Sequence, residues 1–206
     1  MSHFRPELRQ RAEETVALYP QRRSAMLPLL HLVQEQDGYV SAEGMEEVAE
    51  LTGTSPAEVR GTASFYDMFH LEPVGKYVVG ICTNIACLLS GGEELLAHAS
   101  ATLGCAVGST SSDGLFTLEE TECLADCNVA PCVQVNHRLV RTTTPEALDA
   151  LVSDLRDGRR GDEVPPHGTL IRVRRSGGLR APRAQVAQER ATALAQREQR
   201  VAKETK

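Results

Sequence analysis

Four cysteines fall into two pairs whose spacing suits a metal centre. Cys82 and Cys87 are separated by four residues, whereas Cys123 and Cys127 are separated by three. Thiolates that lie close together select zinc, copper(I) or an iron–sulfur cluster. Zinc ribbons usually supply cysteines as C-x-x-C pairs around one ion, and the sequence contains no C-x-x-C. The wider loops favour a binuclear 2Fe-2S cluster, in which each iron takes one cysteine pair.

Two other interpretations of these cysteines stay open. One is a zinc-binding interaction module. The other is a thioredoxin-like domain with incidental buried thiols, because free cysteine packs like a small apolar residue. Dithiol redox chemistry normally needs C-x-x-C at the start of a helix, and a Rieske centre needs histidine ligands, which neither pair supplies at ligand spacing. The cluster is therefore the leading hypothesis.

Two further cysteines lie outside the pairs. Cys132 follows Cys127 at a C-x-x-x-x-C spacing, which makes it an alternative ligand to Cys123 or Cys127. It borders V133-Q-V, which is typical of a strand, so a packing role is the simpler interpretation. Cys105 stands alone in the sequence, and we expect it to be structural.

The elements that must position the cysteines change type near residue 75. Apolar spacing and the capping box S55-P-A-E58 predict four short helices before that point, at residues 6–19, 24–36, 41–51 and 55–66. Phe65, Tyr66 and Phe69 are expected in their core. Runs of β-branched residues then predict strands at 76–82, 115–123, 132–136 and 138–141, with helices at 91–103 and 144–157. Each cysteine pair begins at a strand end and continues into the following loop.

The predicted fold class is α+β, in three segments. Residues 1–74 form a small helical bundle, and the order β-α-β-β-α predicts a thioredoxin-like α/β ferredoxin domain at 75–158. Residues 159–206 are a basic linker and tail, extended or partly helical. This tail carries 12 Lys and Arg against 5 Asp and Glu, whereas the rest carries 10 against 23. The acidic body argues against nucleic-acid binding.

Composition also limits where the chain acts and what it binds. No run approaches the ~18 apolar residues of a membrane-spanning helix, and MSHFRPELRQR lacks the apolar centre of a signal peptide. We therefore expect no membrane insertion and a cytoplasmic location, where thiols are reduced, metal-bound or catalytic. No G-x-G-x-x-G turn or other nucleotide fingerprint occurs. We assign no catalytic residue and expect no unaided binding of NADH or flavin.

Several stretches carry a family resemblance: YPQRRSAMLPLLHLVQEQDGYVS at 19–41, GTASFY at 61–66, CTNIAC at 82–87, DGLFTL at 113–118 and ECLADCNVAP at 122–131. Over residues 5–158 the chain resembles the E subunit of the NADH–quinone oxidoreductase of respiratory complex I, a thioredoxin-like ferredoxin. The resemblance implies one 2Fe-2S cluster held by Cys82, Cys87, Cys123 and Cys127. It also implies that FMN and NADH bind a partner subunit, which exchanges single electrons with this chain in the peripheral, cytoplasmic arm of the complex.

The sequence departs from that family at the second cysteine loop. Ala125 and Asp126 stand where glycine and a small neutral residue are usual. Because a carboxylate beside a ligand opposes adding an electron, we expect a lower midpoint potential than in typical members. The resemblance also suggests a cis peptide before Pro131 and helices that pack on the flavin subunit, although a purely stabilising bundle is equally consistent.

Other assemblies use the same chemistry. A small diaphorase subunit of an NAD-linked hydrogenase or formate dehydrogenase is the main alternative to a quinone-linked complex. A free-standing ferredoxin is disfavoured, because an electron carrier needs only a small cluster domain without the helical segment at residues 1–74.

Overall fold

The computed structural model describes residues 2–161 and 163–168. Four helices form its first part: α1 at Pro6–Val16, α2 at Met26–Asp37, α3 at Ala42–Thr52 and α4 at Pro56–Phe65. Ser41 begins α3 by accepting a hydrogen bond from the Gly44 N–H. Ser55 and Glu58 form the predicted capping box at the start of α4. These side chains satisfy N–H groups that the first turn of a helix leaves free.

The helical segment has an apolar core of its own. Its most buried members come from all four helices and from the turn after α2, and they include Ala12, Leu29, Val33, Val48 and Val59. Phe69 is buried as predicted, but the prediction for Phe65 is wrong, since its side chain is 80% exposed. Phe65 is the last residue of α4, and the backbone turns to an extended conformation at Tyr66. The phenyl ring consequently leaves the core.

A five-stranded mixed sheet follows the helices. Its strands are β1 at Tyr77–Cys82, β2 at Ser109–Thr110, β3 at Phe116–Thr121, β4 at Val133–Val135 and β5 at Arg138–Val140. They lie in the order β2-β3-β1-β4-β5, with β1 parallel to β3 and the other pairs antiparallel. All six residues of β1 are buried. The central position of β1 explains its continuous apolar sequence.

Three helices accompany the sheet: α5 at Ile85–Leu88, α6 at Gly92–Leu103 and α7 at Pro145–Arg156. Apolar residues of α6 and α7 share one buried cluster with the strands. Thr144 begins α7 as predicted, by accepting from the Ala147 N–H. The α+β architecture predicted from the sequence is confirmed by this helix-and-sheet arrangement.

Residues 163–168, whose composition suggested a linker, pack against the sheet. Val164 is fully buried in the apolar cluster of the strands. The Pro165 carbonyl accepts from the Asn136 side-chain amide at 2.8 Å, and the His167 N–H donates to the Lys76 carbonyl at 2.8 Å. The predicted boundaries of the three segments, 1–74, 75–158 and 159–206, stay predictions. The part of the predicted tail beyond residue 168 lies outside the described residues. Within the described part of the chain, no helix has the length and apolar character to cross a membrane.

Candidate metal centre

Two neighbouring strands end beside each other and deliver both cysteine pairs to one edge of the sheet. Cys82 is the last residue of β1, and its register partner Thr121 is the last residue of β3. Because these strands are parallel, the loops that carry Cys87 and Cys127 leave the sheet in the same direction. The structure therefore brings together the pairs that the sequence predicted at strand ends.

The two pairs differ sharply in exposure. Cys82 and Cys87 are each 1% exposed, whereas Cys123 and Cys127 are exposed. Leu124 and Ala130 pack against the buried thiols from the second loop. We call Cys82 with Cys87 the inner pair and Cys123 with Cys127 the outer pair. One half of the candidate centre is thus shielded from water, and the other half faces solvent.

The pKa shifts of the thiols show which sulfur atoms are near one another. The charge of Cys123 raises the pKa of the Cys127 thiol, a partial loss of solvation raises it further, and Cys87 and Cys82 add smaller repulsions. Burial likewise raises the pKa of Cys82, with a contribution from its partner Cys87. Neighbouring thiolates repel each other, so the Cys82 and Cys127 thiols remain protonated to higher pH. Cys127 of the outer pair therefore lies close enough to interact with both inner sulfurs.

Backbone N–H groups point at the inner sulfurs. Those of Asn84 and Leu124 face the Cys82 sulfur and partly offset the effect of burial on its pKa. The Cys132 N–H donates to the Cys87 sulfur at 3.4 Å. Leu124 belongs to the second loop, so its contact with Cys82 brings the two loops together. Hydrogen bonds of this kind stabilise negative charge on ligand sulfurs.

Side chains also link the two loops. The Thr83 hydroxyl donates to the Glu120 carboxylate, and the Asn84 amide donates to Glu122 at 2.9 Å. In each case the donor follows β1 and the acceptor lies at or just beyond the end of β3. These polar bridges lie at the exposed rim of the site. They add to the backbone contacts that keep the two strand ends in register.

Gly92 leaves room for the inner pair. It begins α6, and a Cβ at this position would lie 2.8 Å from the Cys82 carbonyl oxygen and 2.9 Å from that of Cys87. No side chain fits between atoms that close, so only glycine allows the helix to approach the backbone of both cysteines. The sequence signal for this role is the run Ser90-Gly91-Gly92 beside the first pair, because small and flexible residues help the backbone come close to the cluster.

The donor set fits a binuclear iron–sulfur cluster. In such a cluster each iron takes only two protein sulfurs, and the remaining ligands are bridging sulfides. Among residues 2–161 and 163–168, no group of three or more His, Cys, Asp or Glu side chains is arranged to hold a metal ion directly. The structure instead offers two thiol pairs, N–H groups directed at the inner sulfurs and a closely approaching glycine. Cys82, Cys87, Cys123 and Cys127 remain the predicted ligands.

The other cysteines occupy different environments. Cys132 is 3% exposed and belongs to the small apolar cluster around the inner pair, so the structure places it beside the site. Cys105 packs against the larger apolar cluster of the sheet, and its carbonyl accepts from the Ser100 hydroxyl. The peptide bond between Ala130 and Pro131 is cis, as the resemblance suggested.

A comparison with protein families decides the affiliation of the chain. Residues 12–156 match the family model described as Thioredoxin-like [2Fe-2S] ferredoxin. The chain belongs to this family. The range that matches the thioredoxin-like ferredoxins extends from the middle of α1 through α7 and includes both cysteine pairs.

Several relatives of this ferredoxin are similar over most of its length. The NADH-quinone oxidoreductase subunit 2 of Thermus thermophilus is 44% identical over 155 residues, which cover 74% of this chain and 86% of the relative. An NADH-quinone oxidoreductase E subunit of Rhizobium meliloti is 39% identical and is covered to 94%, with 76% of this chain matched. The corresponding E subunit of Mycobacterium tuberculosis is 44% identical over 70% of this chain, which spans 58% of that relative. The predicted resemblance to E subunits is confirmed.

Solved structures support the fold of the ferredoxin. Two crystal structures of NAD+-reducing [NiFe]-hydrogenase, in the H2-reduced and air-oxidized states, superimpose with TM-scores of 0.56 and 0.60. Their sequence identities are 24% and 23%, and the matches cover 66% and 71% of this chain. The same matches cover only 23% and 26% of the hydrogenase chains. At this level of identity, the likeness concerns the fold alone.

Proposed function

We propose that this ferredoxin binds one 2Fe-2S cluster through Cys82, Cys87, Cys123 and Cys127, and that it is the electron-transfer subunit of the NADH-oxidising module of NADH–quinone oxidoreductase. The observation that carries the proposal is the delivery of two thiol pairs to one sheet edge by the register of β1 and β3. When bound, the cluster supplies storage for a single electron. The relatives named as quinone-oxidoreductase subunits favour this assembly over a hydrogenase or formate dehydrogenase.

The chain provides different surroundings for the two halves of the cluster. The inner pair excludes water and presents N–H donors to its sulfurs, whereas the outer pair opens to the surface. Electron exchange with another protein is fastest across the exposed side, where the distance to a docked donor is shortest. We therefore assign electron entry to the side of Cys123 and Cys127.

The surface beside the first cysteine loop suits a protein partner. Ile85 and Leu89 are 76% and 82% exposed, and Leu88 is 41% exposed. Large apolar side chains clustered on a surface are typical of protein interfaces. The partner that fits the proposed chemistry is a subunit with FMN and NADH, because a flavin reduced by hydride holds two electrons and can pass them on singly. Such a partner lies in the peripheral, cytoplasmic arm of the complex.

Spectroscopy of the anaerobically purified chain tests the cluster. We expect about two irons and two sulfides per chain, visible absorption from sulfur-to-iron charge transfer, and an EPR signal only after one-electron reduction. Serine at any of the four proposed ligand positions should reduce cluster content, whereas Cys105→Ser should leave it unchanged. Tight binding of zinc without iron and sulfide would contradict the proposal.

Reduction by NADH tests the partner. The isolated chain should stay oxidised with NADH and become reduced by dithionite. Addition of the flavin-binding subunit from the same complex should allow NADH to reduce the cluster. Reduction of the flavin-free chain by NADH alone would contradict this assignment, because it would require a nucleotide site on this chain.

A further inference from the structure

Cys132 contacts both halves of the candidate centre. Its backbone N–H donates to the Cys87 sulfur at 3.4 Å, and its carbonyl accepts from the Cys82 N–H at 3.0 Å. Its thiol donates to the carbonyl of Asp126 at 3.2 Å. Asp126 immediately precedes the outer cysteine Cys127. One residue is therefore bonded to both inner cysteines and to the backbone beside an outer one.

The thiol of Cys132 is directed at the backbone of the second loop. Its sulfur donates to the Asp126 carbonyl, whereas the ligands of a metal centre are thiolates, which lose their protons on binding. The side chain is 3% exposed and packs with Leu124 and Ala130 around the inner pair. Four other thiols already form two pairs, which is the full protein complement of a 2Fe-2S cluster.

The Asp126 carbonyl accepts from two donors in different parts of the chain. Asp126 precedes the short 3-10 helix Cys127–Val129, and its carbonyl also accepts from the Val129 N–H at 3.0 Å. That bond is internal to the loop. The Cys132 thiol attaches the same carbonyl to the start of β4, which is paired with β1. It thus connects the exposed outer loop to the sheet.

We propose that Cys132 is a positioning residue that holds the backbone of the outer cysteine loop against the inner pair through its S–H···O=C bond to Asp126. This inference rests on the proposed 2Fe-2S cluster. It assigns the fifth cysteine a role that depends on its side chain, because any residue other than proline would keep the two backbone bonds. Outer contacts that orient metal ligands are worth about 10–100-fold in metal affinity or activity when removed.

Three variants isolate the thiol. Cys132→Val keeps an apolar side chain suited to a strand but lacks the S–H donor. Cys132→Ser keeps an O–H donor, with a C–O bond that is shorter than the C–S bond of cysteine. Cys105→Ser is the matched control, since that cysteine lies in the other apolar cluster. Cys132→Ala is a second variant without a donor, for use if Cys132→Val fails to fold. The measurements are iron and sulfide content, the EPR spectrum of the reduced cluster, and the rate of iron release to bathophenanthroline disulfonate.

We expect Cys132→Val to assemble a cluster that releases iron about tenfold faster than the wild type, with a changed EPR spectrum. Cys132→Ser should recover most of the wild-type behaviour. Wild-type release rates and spectra in the valine or alanine variant would overturn the positioning role and leave the proposed cluster intact. A folded valine variant without any cluster would identify Cys132 as a ligand and also overturn it. A wild-type chain that binds no iron would refute the proposed function itself.

Discussion

Alanine at Gly92 should displace the inner cysteine pair. The added methyl would lie 2.8 Å from the Cys82 carbonyl oxygen and 2.9 Å from the Cys87 carbonyl oxygen, and both neighbours are backbone atoms that cannot rotate away. Overpacking of this kind costs about 1–3 kcal/mol. For a chain of this size, each kcal/mol corresponds to a shift of about 2–4 °C in melting temperature. We therefore expect Gly92→Ala to lower the melting temperature by roughly 2–12 °C and to reduce cluster content.

Gly61 offers a matched control on another helix. It lies within α4, and a Cβ there meets nothing within 4 Å. Alanine in an exposed helix interior is more stable than glycine by about 0.8–1 kcal/mol, so Gly61→Ala should melt slightly above the wild type with full cluster content. Thermal unfolding by circular dichroism and iron analysis compare the two variants. A Gly92→Ala chain that melts like Gly61→Ala and keeps its iron would refute the close-approach explanation.

Three further predictions concern charge. Asp126→Ala should raise the midpoint potential of the cluster, because it removes a carboxylate beside a ligand; an unchanged potential in a redox titration would contradict this. Burial, helped by the nearby His70, lowers the pKa of His167 from 6.5 to about 4. The free energy of unfolding should therefore decrease as the pH falls from 6.5 toward 4. In urea unfolding, His167→Gln should reduce this dependence of the unfolding free energy on pH, and an unaltered dependence would exclude His167 as its source. Burial raises the pKa of Glu47, but hydrogen bonds, led by that from Ser2, outweigh this effect, and the net pKa is lowered. The ionised Glu47 side chain therefore stabilises the fold above about pH 4.5, and this stabilisation is lost on further acidification. Glu47→Gln should therefore cost about 1–3 kcal/mol at pH 7 and progressively less in acid, whereas an equal deficit at pH 7 and pH 3.5 would contradict the ionic contribution.

Local chemistry made much of the fold predictable. The serine and threonine caps of α3, α4 and α7 are encoded within four residues of each helix start, and the structure contains all three. The two-residue strand β2 and the four-residue helix α5 were missed, because such short elements carry no measurable periodicity. Their formation depends on long-range partners: Ser109 and Thr110 pair with β3, and α5 lies within the first cysteine loop.

In the candidate site, too, local features were predictable from the sequence, whereas features that depend on long-range contacts were not. Cysteine spacing and strand ends predicted the two pairs, because both signals are local. The buried and exposed character of the pairs was not predictable, since it depends on how β1 pairs with β3 and β4. The contact of the Leu124 N–H with Cys82, and that of the Cys132 thiol with Asp126, join residues from separate stretches of chain. Only the register of the sheet brings them together.

The buried side chain of Val164 has a consequence for biosynthesis. This residue completes the apolar interior behind the sheet, yet it follows the last proposed ligand by more than thirty positions. During translation the cysteines therefore leave the ribosome well before the interior that supports them can close. Iron and sulfide can therefore reach a fully packed domain only after residues 163–168 have been synthesised. A chain that ended before them would carry the thiols on a sheet whose apolar cluster lacks Val164.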